Sequence, residues 1–412
     1  MSRKIITGKH ALSKDKWVSN SRDAATDRSS DMLPEGNMPP CLSSGMREKL
    51  GEVCAAAIAS GAFPGIVLHL AMGNRTPVSI ARGRLAWPAW TPEVSCDTVY
   101  DLASLTKPLA TATLFMALAS DGTATPEMPL RVFFRNLPSD KQEITTGALL
   151  THTSGLPAHR PYFMALADST AEQARHKMEK WIFEEPLCFH PGSDTLYSDL
   201  GYIVLGFVAE KICGMPLGQL VERYVFSPMG IKGIFWGGKG EFHGNCAPSE
   251  FCKYRERVIM GETHDMNAWI LGGAAGHAGL FATAARVAGI LKALMDIKRG
   301  KRTHPHIRQD VLNSFLSVPR REGCGNCRTM GFDTPLPGAS AAGKHFSPAS
   351  IGHLGFTGTS FWHDTEKDIT ITMLANRTFP RADKKSMERI RKWRPLIHDA
   401  AMEMLAGDDR RL

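Results

Sequence analysis

The 412-residue sequence lacks the long apolar stretches and the internal repeats that mark several classes of protein. Every apolar run is shorter than the ~20 residues that a membrane-spanning helix needs. The first 31 residues are rich in Ser, Lys, Arg and Asp and contain no apolar core of a secretory signal. These absences predict no membrane span and no solenoid, and they favour a cytoplasmic protein; a mis-assigned start codon would leave a periplasmic location open.

Cysteine is present, but its number and spacing do not suggest a disulfide framework. Nine cysteines are spread over a long chain, whereas disulfide scaffolds are short and have an even number. The Cys-x-x-Cys pair Cys324 and Cys327 could form a four-thiolate zinc site together with Cys246 and Cys252. The second pair is separated by five residues, which is wider than usual, so structural zinc is the less favoured interpretation.

Excess charge of one sign is also small. The net charge is +8, and part of it lies in the N-terminal segment and in the basic run 298–302. A scaffold that binds nucleic acid would need interleaved aromatic residues or a known binding module, and the sequence has neither. A solvated basic surface without a nucleic-acid partner is therefore expected, and the oligomeric state is left open.

The remaining pattern predicts an α+β fold, an antiparallel sheet flanked by helices with a mainly helical part inserted. Residues 1–40 are predicted to be a disordered tail, and residues 41–410 one folded domain. Its sheet part covers about 45–105 and 330–405, and its helical part about 106–329. The predicted strands are 64–72, 78–85, 359–363 and 369–374, and the predicted helices are 46–60, 170–183, 201–213, 311–316 and 386–405.

A buried helix is predicted to begin near Ser104, because the apolar run 109–119 follows it and a glycine stop closes the run. Lys107 lies one helical turn further on, within reach of the serine hydroxyl. A serine becomes a strong nucleophile only when a neighbouring base takes its proton, and a helix N-terminus favours developing negative charge. The Ser-x-x-Lys pattern also occurs at Ser13 to Lys16, in a polar segment, so the pattern alone is weak evidence.

Two later segments carry side chains suited to the same chemistry. Tyr197 lies on a loop before a helix, where a phenol can relay a proton if a cation is near. His353 precedes Gly355, and the next N–H, that of Phe356, could hold an oxyanion together with the N–H of Ser104. Each of these residues, considered alone, is more often structural.

Three motifs in this order resemble the signature motifs of the serine β-lactamase and penicillin-binding-protein superfamily: Ser104-x-x-Lys107, Tyr197-x-Asp199 and His353-x-Gly355. The gaps between them are similar to those of class C β-lactamases and their esterase and D-aminopeptidase relatives. Residues 149–157 and 276–283 look like connecting segments of that family. Residues 261–268 and 355–362 resemble a penicillin-binding-protein-4B-like branch, and the resemblance spans about residues 45 to 405.

The resemblance implies a serine hydrolase that cleaves an ester or amide through an acyl-enzyme and needs no metal or organic cofactor. Ser104 would attack the carbonyl, Lys107 and Tyr197 would share the proton transfers, and water would release the acyl group. A cell-wall peptide, a small acyl ester or a β-lactam would be the substrate. The residues assigned to the oxyanion and substrate-binding side are Gly355, Phe356 and Thr357.

Two residues depart from the family pattern. His353 stands where the family usually has lysine, so only a partial positive charge is expected there. Asp199 stands where asparagine is usual, and an ionised aspartate cannot donate to a substrate amide. Penicillins are therefore expected to be poor substrates compared with small acyl esters.

Two further possibilities stay open. A catalytically silent binding or sensor protein would keep the fold, although the intact Ser104, Lys107 and Tyr197 disfavour it. His264 and His277 are expected to line the cleft or hold loops, and a metal site that includes them is not required by the resemblance.

Overall fold

The structure is a computed structural model that describes residues 39–238, 244–317, 328–336 and 340–409. Most of the predicted N-terminal tail, the second Ser-x-x-Lys pattern at Ser13, and Cys324 and Cys327 lie outside the described residues. The strands, in chain order, are β1 (Gly65–Met72), β2 (Val78–Gly83), β3 (Tyr100–Asp101), β4 (Phe235–Trp236), β5 (Glu250–Cys252), β6 (Arg257–Ile259), β7 (Leu280–Ala282), β8 (Ile351–Leu354), β9 (Ser360–Asp364) and β10 (Ile369–Ala375).

The five helices whose bounds were predicted are present, with ends that differ from the prediction by at most four residues, and further helices occur in the middle of the chain. Two of them are preceded or followed by π-helical turns, at Lys107–Ala112 and Glu222–Phe226. The helices are α1 (Ser44–Ala59), α2 (Thr113–Ser120), α3 (Thr146–Leu150), α4 (Ala171–Glu184), α5 (Asp199–Cys213), α6 (Leu217–Val221), α7 (Ser227–Met229), α8 (Met266–Ile270), α9 (Ala284–Lys298), α10 (Gln309–Leu316) and α11 (Lys384–Asp409).

Strands from both ends of the described chain form one antiparallel sheet in the order β2–β1–β10–β9–β8. Ile66 of β1 lies opposite Ala375 of β10, so the first and last long strands are neighbours. Successive side chains point to opposite faces: Ile66 and Leu68 pack with α1 and α11, whereas Val67 packs with α9 and the helical part. The predicted α+β fold is confirmed.

The middle of the chain is less purely helical than predicted. The short strands β3, β7 and β4 form a second sheet, in which Asp101 lies opposite Phe281. This pairing joins the segment before Ser104 to residues almost 180 positions later. The candidate active site therefore lies where the two parts of the domain meet.

Among the helices of the described residues, no single one is long and apolar enough to cross a membrane. The helices over Asp199–Cys213 and Leu217–Met229 meet the criterion only as a pair, which is bent by 78°.

Candidate active site

Ser104 lies in a 3-10 turn, Ala103–Leu105, directly after β3. Ala103 has a φ of 48°, a left-handed conformation that costs a non-glycine residue about 1–2 kcal/mol. The buried carboxylate of Asp101 stabilises this turn, because Oδ1 accepts from the N–H of Ala103 at 2.8 Å and Oδ2 from the N–H of His264 at 2.6 Å. Asp101 was not among the predicted site residues, although an acidic side chain two residues before a turn is a known turn-forming signal.

Lys107 is fully buried one turn after Ser104. Its Nζ donates to Ser104 Oγ at 3.0 Å, to Asp199 Oδ1 at 2.7 Å and to the carbonyl oxygen of His277 at 3.1 Å. These three acceptors match the three protons of an ammonium group. The predicted contact between Ser104 and Lys107 is therefore present, and the second motif reaches the same nitrogen through Asp199.

The charges of this group are coupled. Burial would lower the pKa of Lys107, but Asp199 and Tyr197 raise it above its ordinary value. Burial opposes the ionisation of Asp199, but Lys107 and the His159 ring, whose Nδ1 lies 3.7 Å from Oδ2, hold the pKa of that carboxyl well below its usual range. Burial raises the pKa of Tyr197, against the opposing effects of Lys107 and Ser104. At neutral pH the group consists of an ammonium, a carboxylate and a neutral phenol.

The loop that carries Tyr197 is held by His152, a residue that the sequence analysis did not single out. His152 Nδ1 accepts from the N–H of Ser198 at 3.0 Å, and its ring centroid lies 4.5 Å from that of Tyr197. On the other side, the Arg328 guanidinium lies 5.2 Å from the centre of the Tyr197 ring. The phenol is thus oriented by packing, with Lys107 Nζ 4.9 Å from the centre of its ring.

His353 lies on β8 with its ring centroid 6.0 Å from that of Tyr197. Its side chain is buried, and Nδ1 donates to the carbonyl of Leu354 at 2.9 Å. Burial, together with Lys107 and Arg328, lowers the pKa of His353 to about 4. The expectation of a partial positive charge is therefore wrong, and the imidazole is neutral near pH 7. The expectation used the pKa of an exposed histidine, whereas burial, which the motif does not reveal, lowers the pKa of this one.

Residues 355–359 form a tight loop between β8 and β9, here called the oxyanion loop, rather than part of a continuous strand. A Cβ added at Gly355 would overlap Thr359 Oγ1 and lie 2.7 Å from the carbonyl oxygen of Leu102. Glycine is required here because the protein's own chain approaches closely, and not because a ligand does. Thr357 is also structural: its buried hydroxyl donates to the carbonyl of Asp101 at 2.7 Å, so it is not free to contact a substrate.

The oxyanion loop packs directly on the residues that precede Ser104, through Asp101 and Leu102. Within the part of the chain that the structure describes, the N–H groups of Ser104 and Phe356 have no hydrogen-bond acceptor. The Phe356 side chain is 46% exposed. Two free N–H donors beside a serine held by a buried lysine are the arrangement that acyl transfer requires.

The Beta-lactamase family model matches residues 50–392, most of the chain. The chain belongs to the β-lactamase family. It is 30% identical over 310 residues, 69% of this chain and 70% of the relative, to an Escherichia coli (strain K12) protein provisionally named D-alanyl-D-alanine carboxypeptidase. This β-lactamase-family chain is therefore a serine hydrolase of the penicillin-binding-protein-like type.

Solved structures show the same fold at low sequence identity. The D-amino acid amidase from Ochrobactrum anthropi SV3, complexed with L-phenylalanine, has a TM-score of 0.67 at 20% identity, with 89% of this chain and 100% of that chain covered. EstCE1, a hydrolase with promiscuous acyltransferase activity, has a TM-score of 0.64 at 20% identity, with 85% and 98% covered.

One cluster beside the nucleophile has donors that suit a metal ion. Ligand atoms of His159, Asp199 and Asp265 lie within 4.8 Å of one another, and nitrogen and carboxylate oxygen are common ligands of zinc. Both carboxylates already have partners, however. Asp199 accepts from Lys107 at 2.7 Å, and Asp265 accepts from His277 Nε2 at 2.8 Å.

Of the other residues named as metal ligands from the sequence, Cys324 and Cys327 lie outside the described residues, and the rest have these surroundings. His264 Nε2 lies 3.2 Å from a Glu250 oxygen, and its ring packs on Phe356. Cys246 and Cys252 are buried free thiols. The Cys252 sulfur contacts Met266.

Proposed function

We propose that this protein hydrolyses a small ester or amide through an acyl-enzyme on Ser104. The observation that carries the proposal is the 3.0 Å contact between Lys107 Nζ and Ser104 Oγ beside two unoccupied N–H donors. Ser104 Oγ would form a bond to the substrate carbonyl carbon, and its proton would pass to the neutral form of Lys107. The negative charge on the carbonyl oxygen would be held by the N–H groups of Ser104 and Phe356.

Collapse of the tetrahedral intermediate then breaks the bond to the leaving group, which must receive a proton. The Tyr197 ring lies 4.9 Å from Lys107 Nζ, so its phenol would relay the proton from lysine to the leaving group. Water then attacks the acyl carbon and gives up a proton to the same groups. The bond between that carbon and Ser104 Oγ breaks, the serine regains its proton and the acid is released. Because the ion pair with Asp199 keeps Lys107 protonated, the reactive form is scarce at neutral pH, and the rate should rise with pH.

The charges around Ser104 favour substrates without an anionic group near the scissile bond. The Asp199 carboxylate forms an ion pair with Lys107 and so adds a negative charge beside Ser104. The neutral His353 offers no positive charge to a substrate carboxylate. A missing charge-assisted contact is worth roughly 1.5–3 kcal/mol, or about one to two powers of ten in rate. Simple acyl esters and amides need no such contact, whereas penicillins and C-terminal peptides do.

The names of the relatives agree with this range of substrates. One is provisionally named a D-alanyl-D-alanine carboxypeptidase, one is a D-amino acid amidase and one is a hydrolase with acyltransferase activity. We place this protein closest in chemistry to the esterase and amidase members, on the evidence of its charges.

The test is a panel of a nitrophenyl acetate, a chromogenic cephalosporin and a D-alanyl-D-alanine peptide, assayed with the wild type and with Ser104→Ala. We expect the ester to have the highest kcat/KM and Ser104→Ala to lose several powers of ten with it. Asp199→Asn combined with His353→Lys should narrow the gap between ester and cephalosporin. Efficient cephalosporin hydrolysis by the wild type would contradict the substrate class, and full activity of Ser104→Ala would contradict the mechanism.

A further inference from the structure

Arg394, on α11, lies beneath the oxyanion loop. Its Nη2 donates to the carbonyl of Thr359 at 3.2 Å and to that of Gly355 at 3.4 Å. The side chain is only 6% exposed. One guanidinium nitrogen therefore bridges the two ends of the loop that carries Phe356.

The contact with Gly355 constrains the Gly355–Phe356 peptide unit, whose N–H is the proposed oxyanion donor. In a trans peptide the C=O of one residue and the N–H of the next point in opposite directions in one plane. The carbonyl of Gly355 and the N–H of Phe356 form such a unit. Gly355 O also accepts from the N–H of Gly358 at 3.1 Å, so two donors hold the carbonyl on the side of Arg394. The N–H of Phe356 is thereby directed away from α11.

The charge of Arg394 is not consumed by a carboxylate. Among the described residues, no acidic oxygen lies within 4.0 Å of its guanidinium nitrogens. Burial and the neighbouring Arg377 lower the pKa of Arg394 to about 9, which leaves it charged at neutral pH. Burying a cation without a counterion is costly. Among the described residues, the carbonyl oxygens of Gly355 and Thr359 are the hydrogen-bond acceptors that offset this cost. A cation on a carbonyl oxygen draws electron density along the peptide and makes its N–H a stronger donor.

We propose that Arg394 is a positioning residue for acyl transfer, which fixes and polarises the Gly355–Phe356 peptide so that the Phe356 N–H holds the oxyanion. The inference rests on the proposed function, since it needs a nucleophilic Ser104. The positive charge at this edge of the site would then come from the buried Arg394 on α11, since His353 is neutral.

The experiment measures the rate at which a fluorophosphonate labels Ser104, because phosphonylation also develops negative charge on an oxygen and requires no known substrate. Arg394→Met removes the charge and keeps the bulk, and Arg394→Lys keeps the charge. His398→Leu is the matched control: His398 lies one turn further on α11, is fully buried, and contacts Ser360 Oγ at 3.2 Å rather than the loop carbonyls. Circular dichroism and Tm report the folding of each variant.

We expect Arg394→Met to slow labelling by about ten- to a hundredfold, since loss of a whole oxyanion donor costs about 10²–10³. Arg394→Lys should recover most of the rate, and His398→Leu should label within about twofold of the wild type even where its Tm falls. A second readout is the rate ratio between a nitrophenyl ester and its thionoester, since sulfur accepts hydrogen bonds weakly. Arg394→Met should shrink this ratio, whereas a merely structural role would leave it unchanged.

If Arg394→Met does not fold, Arg394→Gln, which keeps an N–H donor without the charge, decides the question by the same two readouts. Wild-type labelling rate and thionoester ratio in a folded Arg394→Met or Arg394→Gln would overturn the inference, as would an equal loss in His398→Leu. A wild type that is not labelled at Ser104 would instead refute the proposed function itself.

Discussion

Replacement of Asp199 by asparagine should make the protein a better catalyst at neutral pH. The carboxylate lies 2.7 Å from the fully buried Lys107 Nζ, and two unit charges at that distance attract by about 6 kcal/mol at an effective dielectric constant of ~20. Part of this is offset because an asparagine oxygen still accepts the hydrogen bond. Measured effects of one adjacent opposite charge are about 1–3 pKa units, and we expect the pKa of Lys107 to fall by that amount.

The assay is the pH dependence of kcat/KM for a nitrophenyl ester between pH 5 and 10. The wild-type rate should rise with pH as Lys107 loses its proton, and in Asp199→Asn this rise should move about 1–3 pH units lower. At pH 7 the gain should be about tenfold, because a larger neutral fraction is partly offset by the weaker basicity of the lysine. Asp265→Asn is the control, since that carboxylate lies in the same cluster but bonds to His277 instead of Lys107.

The stability of the variant provides an independent check. In the wild type the raised pKa of Lys107 stabilises the fold below the lysine's unfolded pKa, and this contribution is lost as pH rises through the folded value. Without Asp199, a charged buried lysine should lower the free energy of unfolding at neutral pH by about 3–5 kcal/mol, less whatever deprotonation relieves. The assignment of Asp199 as the residue that keeps Lys107 protonated would be refuted if kcat/KM of Asp199→Asn rose at the same pH as that of the wild type. A loss of rate by the same factor at every pH would also refute it.

Two further predictions follow from the same geometry. Lys107→Ala and Tyr197→Phe should each cost most of the esterase activity, and the double variant should lose little more than the worse single one, because both groups handle one proton; losses that multiply would show independent roles. The free energy of unfolding should fall as pH drops from 6.5 to 4, because burial lowers the pKa of His353 and His363 to about 4 and that of His398 to about 3. In this range the unfolded chain binds more protons than the folded chain, and urea titrations should show a loss of about 1.4 kcal/mol per pH unit for each histidine. A free energy of unfolding that does not change with pH would contradict the burial of these rings as neutral groups.

Features that depend on local pattern could be predicted from the sequence. Strands β1, β2, β9 and β10 follow short runs rich in apolar and β-branched residues, and the helix after Ser104 follows the apolar stretch that ends before Gly122. The three-residue spacing placed Lys107 within reach of Ser104, and the atoms lie 3.0 Å apart. These predictions succeeded because each is decided by periodicity over a few neighbouring residues.

Features that depend on burial and distant contacts could not be predicted in this way. Asp101 holds the turn before Ser104 by a bond to the N–H of His264, 163 positions away. His353 was expected to carry partial charge, but complete burial makes it neutral. Thr357 was assigned to substrate binding, yet its hydroxyl ties the oxyanion loop to β3. In each case the residue type was visible in the sequence and its surroundings were not.

The most direct test of the account is to identify the serine that becomes covalently modified. The purified protein is treated with a fluorophosphonate, and the adduct is located by intact-mass measurement and peptide mapping, with Ser104→Ala as the control. We expect one adduct per chain, on Ser104, that is absent from the variant and never found on Ser13, which shares the same Ser-x-x-Lys pattern. An adduct on another serine, or labelling that persists in Ser104→Ala, would contradict it.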